Sequence, residues 1–220
     1  IKINKVNIFP FNRMKVRLKK EIVSLGILDL KFKKNKNKYV HPSKWDELIS
    51  KKDIKLIDVR NTYEINIGKF KNSINPETNS FRDFPKKLSN LTFSKSDNIA
   101  IYCTGGIRCE KASVFLEKKG FKNIYQLKGG IINYFKNVDK SESLWKGECF
   151  VFDNRISLNH NLKPGSYSMC SGCRNPISKQ DKKSKKYEEG VSCPKCHDTL
   201  TNTQKDRFRM RQKQINVAKK

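Results

Sequence analysis

Cys103-Thr104-Gly105-Gly106-Ile107-Arg108 combines the residue types of a nucleophile site. Two consecutive glycines let the backbone curl so that several N–H groups point inward as an anion nest, and the N-terminus of a following helix adds partial positive charge. Such surroundings favour thiolate over thiol, lowering the pKa of Cys103 and making it nucleophilic. Arg108, fixed in charge, either holds the loop or meets an anionic substrate. A free cysteine at a strand end can also be a small buried hydrophobe, but the Gly-Gly and the Arg favour the reactive reading. Cys109 follows at the helix start, placed either to close a disulfide with an oxidised or persulfidated Cys103 or simply to pack.

Four of the seven cysteines form two pairs, Cys170-x-x-Cys173 and Cys193-x-x-Cys196. This is the spacing of a structural Zn2+ site, in which two turns each present two thiolates to one tetrahedral ion. A metal would hold together a segment too charged to build its own core; unmetallated packing and a redox dithiol are the alternatives. His197 beside Cys196 is a substitute ligand only awkwardly, and His41 and His160 receive no role. An odd cysteine count with this pattern suits a reducing compartment rather than a disulfide framework, so the cytoplasm is expected.

The elements around the loop alternate. Ile54 to Val59, Ile99 to Tyr102 and Ile124 to Leu127 are short apolar runs bounded by turn formers. Between the last two, Arg108 to Lys119 places Ala112, Phe115 and Leu116 on one helical face and stops at Gly120. His41-Pro42-Ser43 reads as a capped helix start. Strands alternating with helices predict an α/β fold, a parallel sheet covered by helices on both faces, with a ligand site outside the carboxyl ends of its strands, where Cys103 falls. Val16, Leu18, Ile22, Val23 and Leu25 suggest a short amphipathic helix ended by Gly26, after an extended Ile1 to Phe9, and Lys31 to Lys38 reads as a linker. Three regions are expected: 1–38, the end of an N-terminal domain and a linker; 39–140, catalytic; and 141–220, cysteine-rich and then basic and helical.

The net charge of +27 points toward a polyanion. Part of it reflects Lys and Asn recurring everywhere, as in a chain from an AT-rich genome, so its location matters more than its total. Residues 1–38 carry twelve basic side chains against Glu21 and Asp29, and residues 203–220 carry seven against Asp206. Arg207, Phe208, Arg211 and Lys213 on a terminal helix would suit phosphate contact with aromatic anchoring. No apolar run approaches the roughly 18 residues of a membrane span, and the sequence opens at Ile1 with no Met and no charged-then-apolar stretch, so a soluble, intracellular chain whose true N-terminus is missing is expected.

These residues resemble the rhodanese homology domain, which carries an Asp-x-Arg, a Glu four residues on, a Gly, a Cys-headed loop and a closing Gly-Phe-x-x-Val/Ile-x-x-Leu-x-Gly-Gly. Here the matches are Asp58, Arg60, Glu64, Gly68, Cys103 and Gly120 to Gly130; Lys69 stands where the family usually has His. Cys-x4-Arg resembles the six-residue sulfur-handling loops rather than the longer phosphatase loop. The segments Phe81 to Pro85, Cys103 to Ala112 and Ser143 to Asp153, with the cysteine-rich tail, resemble the rhodanese-containing tRNA uridine hydroxylases across nearly the whole chain.

That resemblance implies an N-terminal ferredoxin-like domain of which Ile1 to Gly26 is the end. It also implies oxygen-dependent conversion of uridine at tRNA anticodon position 34 to 5-hydroxyuridine, with Cys103 required. Cys103 and Arg108 are the expected catalytic residues, Thr104, Gly105, Gly106 and Ile107 the anion-binding loop, and Asp58 and Arg60 its support. No flavin or nicotinamide fingerprint and no 2-His-1-carboxylate iron arrangement is present, so the molecular oxygen that the resemblance implies as co-substrate would be used without such a cofactor. Addition of the Cys103 thiolate to C6 of uracil would make C5 enolate-like and reactive toward oxygen. The runner-up activity is a sulfurtransferase carrying a persulfide on Cys103, and the third reading is a non-catalytic RNA-binding module with a vestigial loop.

Overall fold

In the computed structural model, which describes residues 9–13, 16–19, 21–27 and 38–218, the apolar runs become one parallel sheet. β1 (Lys38–Val40), β2 (Ile54–Asp58), β4 (Asn98–Tyr102) and β5 (Asn123–Leu127) lie in the order β1-β5-β4-β2, while β3 (Gly68–Phe70) stands outside it. Every neighbouring pair in the sheet is parallel. Helices α1 (Pro42–Ile49), α2 (Thr62–Ile65), α3 (Phe84–Ser89) and α4 (Ile107–Lys118) lie in the connections between its strands, and α5 (Gly130–Asn137) follows β5.

β4 is apolar at four successive positions because both its faces are covered. Side chains alternate across a strand. Accordingly Ile99 and Ile101 join Leu116, Phe115 and Phe84 on one face, whereas Ala100 and Tyr102 join Trp45, Ile131 and Tyr134 on the other. This alternation delivers Cys103, the next residue, to the α4 side. Burying each isoleucine contributes about 1.5–3 kcal/mol. His41 caps α1 by accepting from the Ser43 N–H at 3.4 Å, and Pro42 opens the helix.

The chain beyond α5 folds back onto the sheet domain. β6 (Trp145–Gly147) pairs antiparallel with β3, Phe70 opposite Trp145. Phe70 is the hub of an edge-to-face cluster with Tyr102, Tyr134 and Trp145, ring centroids 4.8–5.1 Å apart. Gly68 is required here, since a Cβ would lie 2.3 Å from the Glu148 carbonyl oxygen. β7 (Cys149–Phe150) then pairs with β8 (Ser157–Leu158), and β9 (Ser168–Met169) with β10 (Pro176–Ile177), before the terminal α6 (Asn202–Ala218).

Two expectations fail. Among the described residues of 16–27 there is no helix: Leu18 and Ile22 stand 103% and 74% exposed, and only Leu25 is fully buried, beside Val23 and Ile27 against the Phe81–Phe84 cluster. Contact comes from one end of the segment rather than from a stripe of period 3.6, and the ion pair of Glu21 with Lys111 fixes that end to α4. Lys38 is not linker but the first residue of β1. The stretches 1–8 and 31–37, which carry most of the extended segment and of the linker, lie outside the described residues.

Candidate active site

Cys103 leaves the end of β4, and Gly106, with φ of +89°, turns the chain into α4. That left-handed turn suits glycine and aims the Gly106 N–H at the Cys103 Sγ, 3.2 Å away. Cys103 is 2% exposed. Burial alone would penalise its thiolate, but the Cys109 thiol, the Arg108 guanidinium and the Cys109 and Arg108 N–H groups outweigh it and bring the pKa to about 6. Cys109 shows the reverse: burial, then the adjacent Cys103 sulfur, pushes it well above the ordinary thiol range. At neutral pH the pair is a thiolate accepting a hydrogen bond from a thiol.

The floor of the loop is backbone. The Ile131 and Ile132 N–H groups donate to the Cys103 and Thr104 carbonyls at 3.0 and 3.1 Å. Gly130, φ +69°, packs so closely that a Cβ would meet the Cys103 carbonyl oxygen at 2.5 Å. Gly105 faces open space, and Ile107 is exposed at the rim. Thr104 reaches the Phe150 carbonyl at 3.5 Å.

Arg108 is committed to the protein. Its two terminal nitrogens donate to both oxygens of the Glu64 carboxylate at 2.6 and 2.7 Å, and it is only 8% exposed. The alternative of meeting an anionic substrate gives way to a positioning role: a bidentate fork pins the first turn of α4 to α2 and keeps a positive charge beside Cys103. Asp58 and Arg60 lie a layer further back. Fully buried, they pair at 2.6 Å, and Arg60 also donates to the Gly68 carbonyl at 2.7 Å, tying β2 to β3. Glu64 and Gly130, which stand in the sequence as family motif residues, prove to be the loop's direct supports.

A wall of three rings borders the loop. Tyr63 and Phe150 meet edge to face at 5.3 Å, as do Phe150 and Phe152 at 5.1 Å, and Phe152, 63% exposed, lies 5.8 Å from the Arg108 guanidinium carbon. Cys149, buried behind Phe150, is held as a thiol with its pKa raised to about 12 by burial.

The two cysteine pairs converge into one cluster. The sulfurs of Cys170 and Cys196, Cys173 and Cys193, and Cys193 and Cys196 are 3.9, 3.7 and 3.8 Å apart, and all four lie within 4.8 Å of one another. A tetrahedral ion with metal–sulfur bonds of about 2.3 Å has edges of about 3.8 Å, so the donor set fits a zinc-sized ion. The Cys193 N–H and the Asn175 amide donate to cluster sulfurs at 3.3 Å, the outer support such sites use. His197 is turned to Asp198 at 2.9 Å and takes no part. α6 is docked on this knuckle rather than presented whole to solvent: Arg211 donates to the Gly190 and Ser171 carbonyls and stacks on Phe208, leaving Arg207 and Lys213 of the four expected contacts exposed.

Residues 41–137 match the model of the rhodanese-like domain. Over 218 residues the chain is 63% identical to the tRNA uridine(34) hydroxylase of Pelagibacter ubique, covering 99% of this chain and 71% of that protein. The chain belongs to the tRNA uridine(34) hydroxylase family. Among solved structures it is similar to the rhodanese-like domain of an Anabaena protein (19% identity, 50% of this chain and 78% of that one, TM-score 0.42). It is also similar to a rhodanese-related protein from Thermoplasma volcanium (27% identity, 45% and 91%, TM-score 0.37). No described helix is long and apolar enough to cross a membrane.

Proposed function

We propose that the chain hydroxylates uridine 34 in the anticodon loop of tRNA at C5, with Cys103 as nucleophile and molecular oxygen as co-substrate. The observation that carries the mechanism is geometric: the buried Cys103 sulfur accepts the Gly106 N–H at 3.2 Å, with Arg108 and the equally buried Cys109 in the first turn of α4 beside it. The Cys103 sulfur adds to C6 of the uracil, and the electron pair of the C5–C6 double bond moves to C5 as an enolate. Oxygen adds at C5 and a proton completes a hydroperoxide. The Cys109 thiol takes the distal oxygen, leaving C5–OH and a sulfenic acid. Loss of the C5 proton expels Cys103 from C6 and restores the double bond, and Cys103 then attacks the sulfenic acid to give a disulfide and water. In sum, uridine, O2 and two thiols yield 5-hydroxyuridine, one disulfide and water, and an external thiol reopens the disulfide.

The four knuckle cysteines hold Zn2+ in a structural role, since four protein thiolates leave no open coordination position. The surplus of basic residues supports a tRNA partner, and a tRNA substrate supports a cytoplasmic setting. The test is a single turnover on an anticodon stem-loop under 18O2 without added reductant. Expected are one 18O in the product nucleoside and one Cys103–Cys109 disulfide per hydroxylated uridine. Oxygen drawn from water, or product formed with both thiols intact, contradicts the scheme.

A further inference from the structure

A cleft of about 450 Å3 separates α2 from the cysteine knuckle, within the size range of small-ligand sites. Thr62, Tyr63 and Asn79 line one side, and Arg174, Asn175 and Lys195 line the other. Its lining holds two cations, amides and an aromatic ring, and no carboxylate. Arg174, with φ of +62°, is an exposed residue in the left-handed region. Such a conformation costs a non-glycine residue on the order of 1 kcal/mol and needs surroundings that impose it. Those surroundings are the turn that closes Cys170 and Cys173, where the Arg174 N–H donates to the Cys170 carbonyl at 2.9 Å. Lys195 spends one donor on the Pro176 carbonyl at 3.3 Å, leaving its other two available.

Tyr63 links the cleft to the nucleophile loop. In the cleft wall, it directly precedes Glu64, which grips Arg108, and the ring series Tyr63–Phe150–Phe152 runs from the cleft to that same guanidinium. A polar, cationic cleft with one aromatic wall matches the parts of a single-stranded nucleotide: phosphate for the cations, base edge for the amides, base face for the ring.

We propose that this cleft is a nucleotide subsite of the tRNA, seating a residue neighbouring the uridine under attack, so that the cysteine knuckle reads substrate as well as closing the fold. The inference rests on the tRNA reading above. It is tested by fluorescence anisotropy of a labelled 17-nucleotide anticodon stem-loop binding to wild type, Tyr63→Ala and the double variant Arg174→Glu/Lys195→Glu. Bound zinc and the pH dependence of Cys103 alkylation are measured on each protein to show that the knuckle and loop are intact. The double variant should bind at least 10-fold more weakly with a salt slope reduced by about two, and Tyr63→Ala about 5-fold more weakly, with both controls unchanged. A double variant with intact controls that binds within 2-fold of wild type overturns the subsite alone. A wild type that does not bind the stem-loop overturns the tRNA reading and the subsite with it.

Discussion

Two cysteine sites stand in this chain, and their surroundings set them to opposite work. At the Cys103 loop one sulfur is surrounded by donors: the Gly106 N–H at 3.2 Å, the Cys109 thiol and the charge of Arg108, so that a lone thiolate persists while largely buried. At the knuckle four sulfurs crowd to within 4.8 Å of one another, an arrangement in which negative charge repels itself unless a cation sits between. The comparison teaches that a cysteine's reactivity belongs to its neighbours: donors make a nucleophile, and other thiolates make a ligand set.

The largest effect should come from stripping the metal. Structural zinc contributes on the order of 10 kcal/mol to folding in small domains. Because α6 hangs on the Ser171 and Gly190 carbonyls beside the cysteines, a strong chelator should free four thiols to a colorimetric reagent and release α6, seen as lost helical circular dichroism. Cys103 alkylation should keep its pH midpoint near 6, because nothing in its donor set comes from the knuckle. A shifted midpoint would join the two sites and blur the contrast.

Next in size is Glu64→Gln. It leaves the Arg108 guanidinium buried without its counter-charge, a loss of about 3–5 kcal/mol that urea unfolding would register. A change under 1 kcal/mol would mean that Arg108 finds another partner and that the fork does not hold the loop.

The smallest effect is Cys109→Ala. With the thiol donor gone, the Cys103 pKa should rise from about 6 by roughly one unit, equivalent to about 1.4 kcal/mol. The sign is direct: only the thiolate reacts, so the wild-type alkylation rate should climb through pH 6 and level off above it, and the variant's curve should move to higher pH. An unmoved curve would take Cys109 out of the donor set.

What the sequence made legible was local. The glycine pair before Arg108, the three apolar runs and the paired cysteines each carry their meaning within a few residues, and each stands where it was expected. What it hid was contact at long range. Glu64 meets Arg108 across 44 positions, and Gly130 slides under the Cys103 carbonyl from the far end of β5. Composition cannot report such pairings, although the motif positions of Glu64 and Gly130 hinted at them. The helix expected up to Gly26, absent among the described residues, has the same origin: hydrophobic spacing offered a stripe, while the fold offered a socket for one leucine. Arg211 and Phe208 looked like RNA contacts because charge and aromaticity do not say which way a helix face turns.

The most direct test of Cys103 as the nucleophile toward uracil is covalent capture. A stem-loop with 5-fluorouridine at the wobble position, incubated without oxygen, should form a denaturation-resistant adduct whose tryptic peptide carries the RNA on Cys103, and Cys103→Ser should form none. No adduct on the wild type, or an adduct that survives in Cys103→Ser, would contradict it.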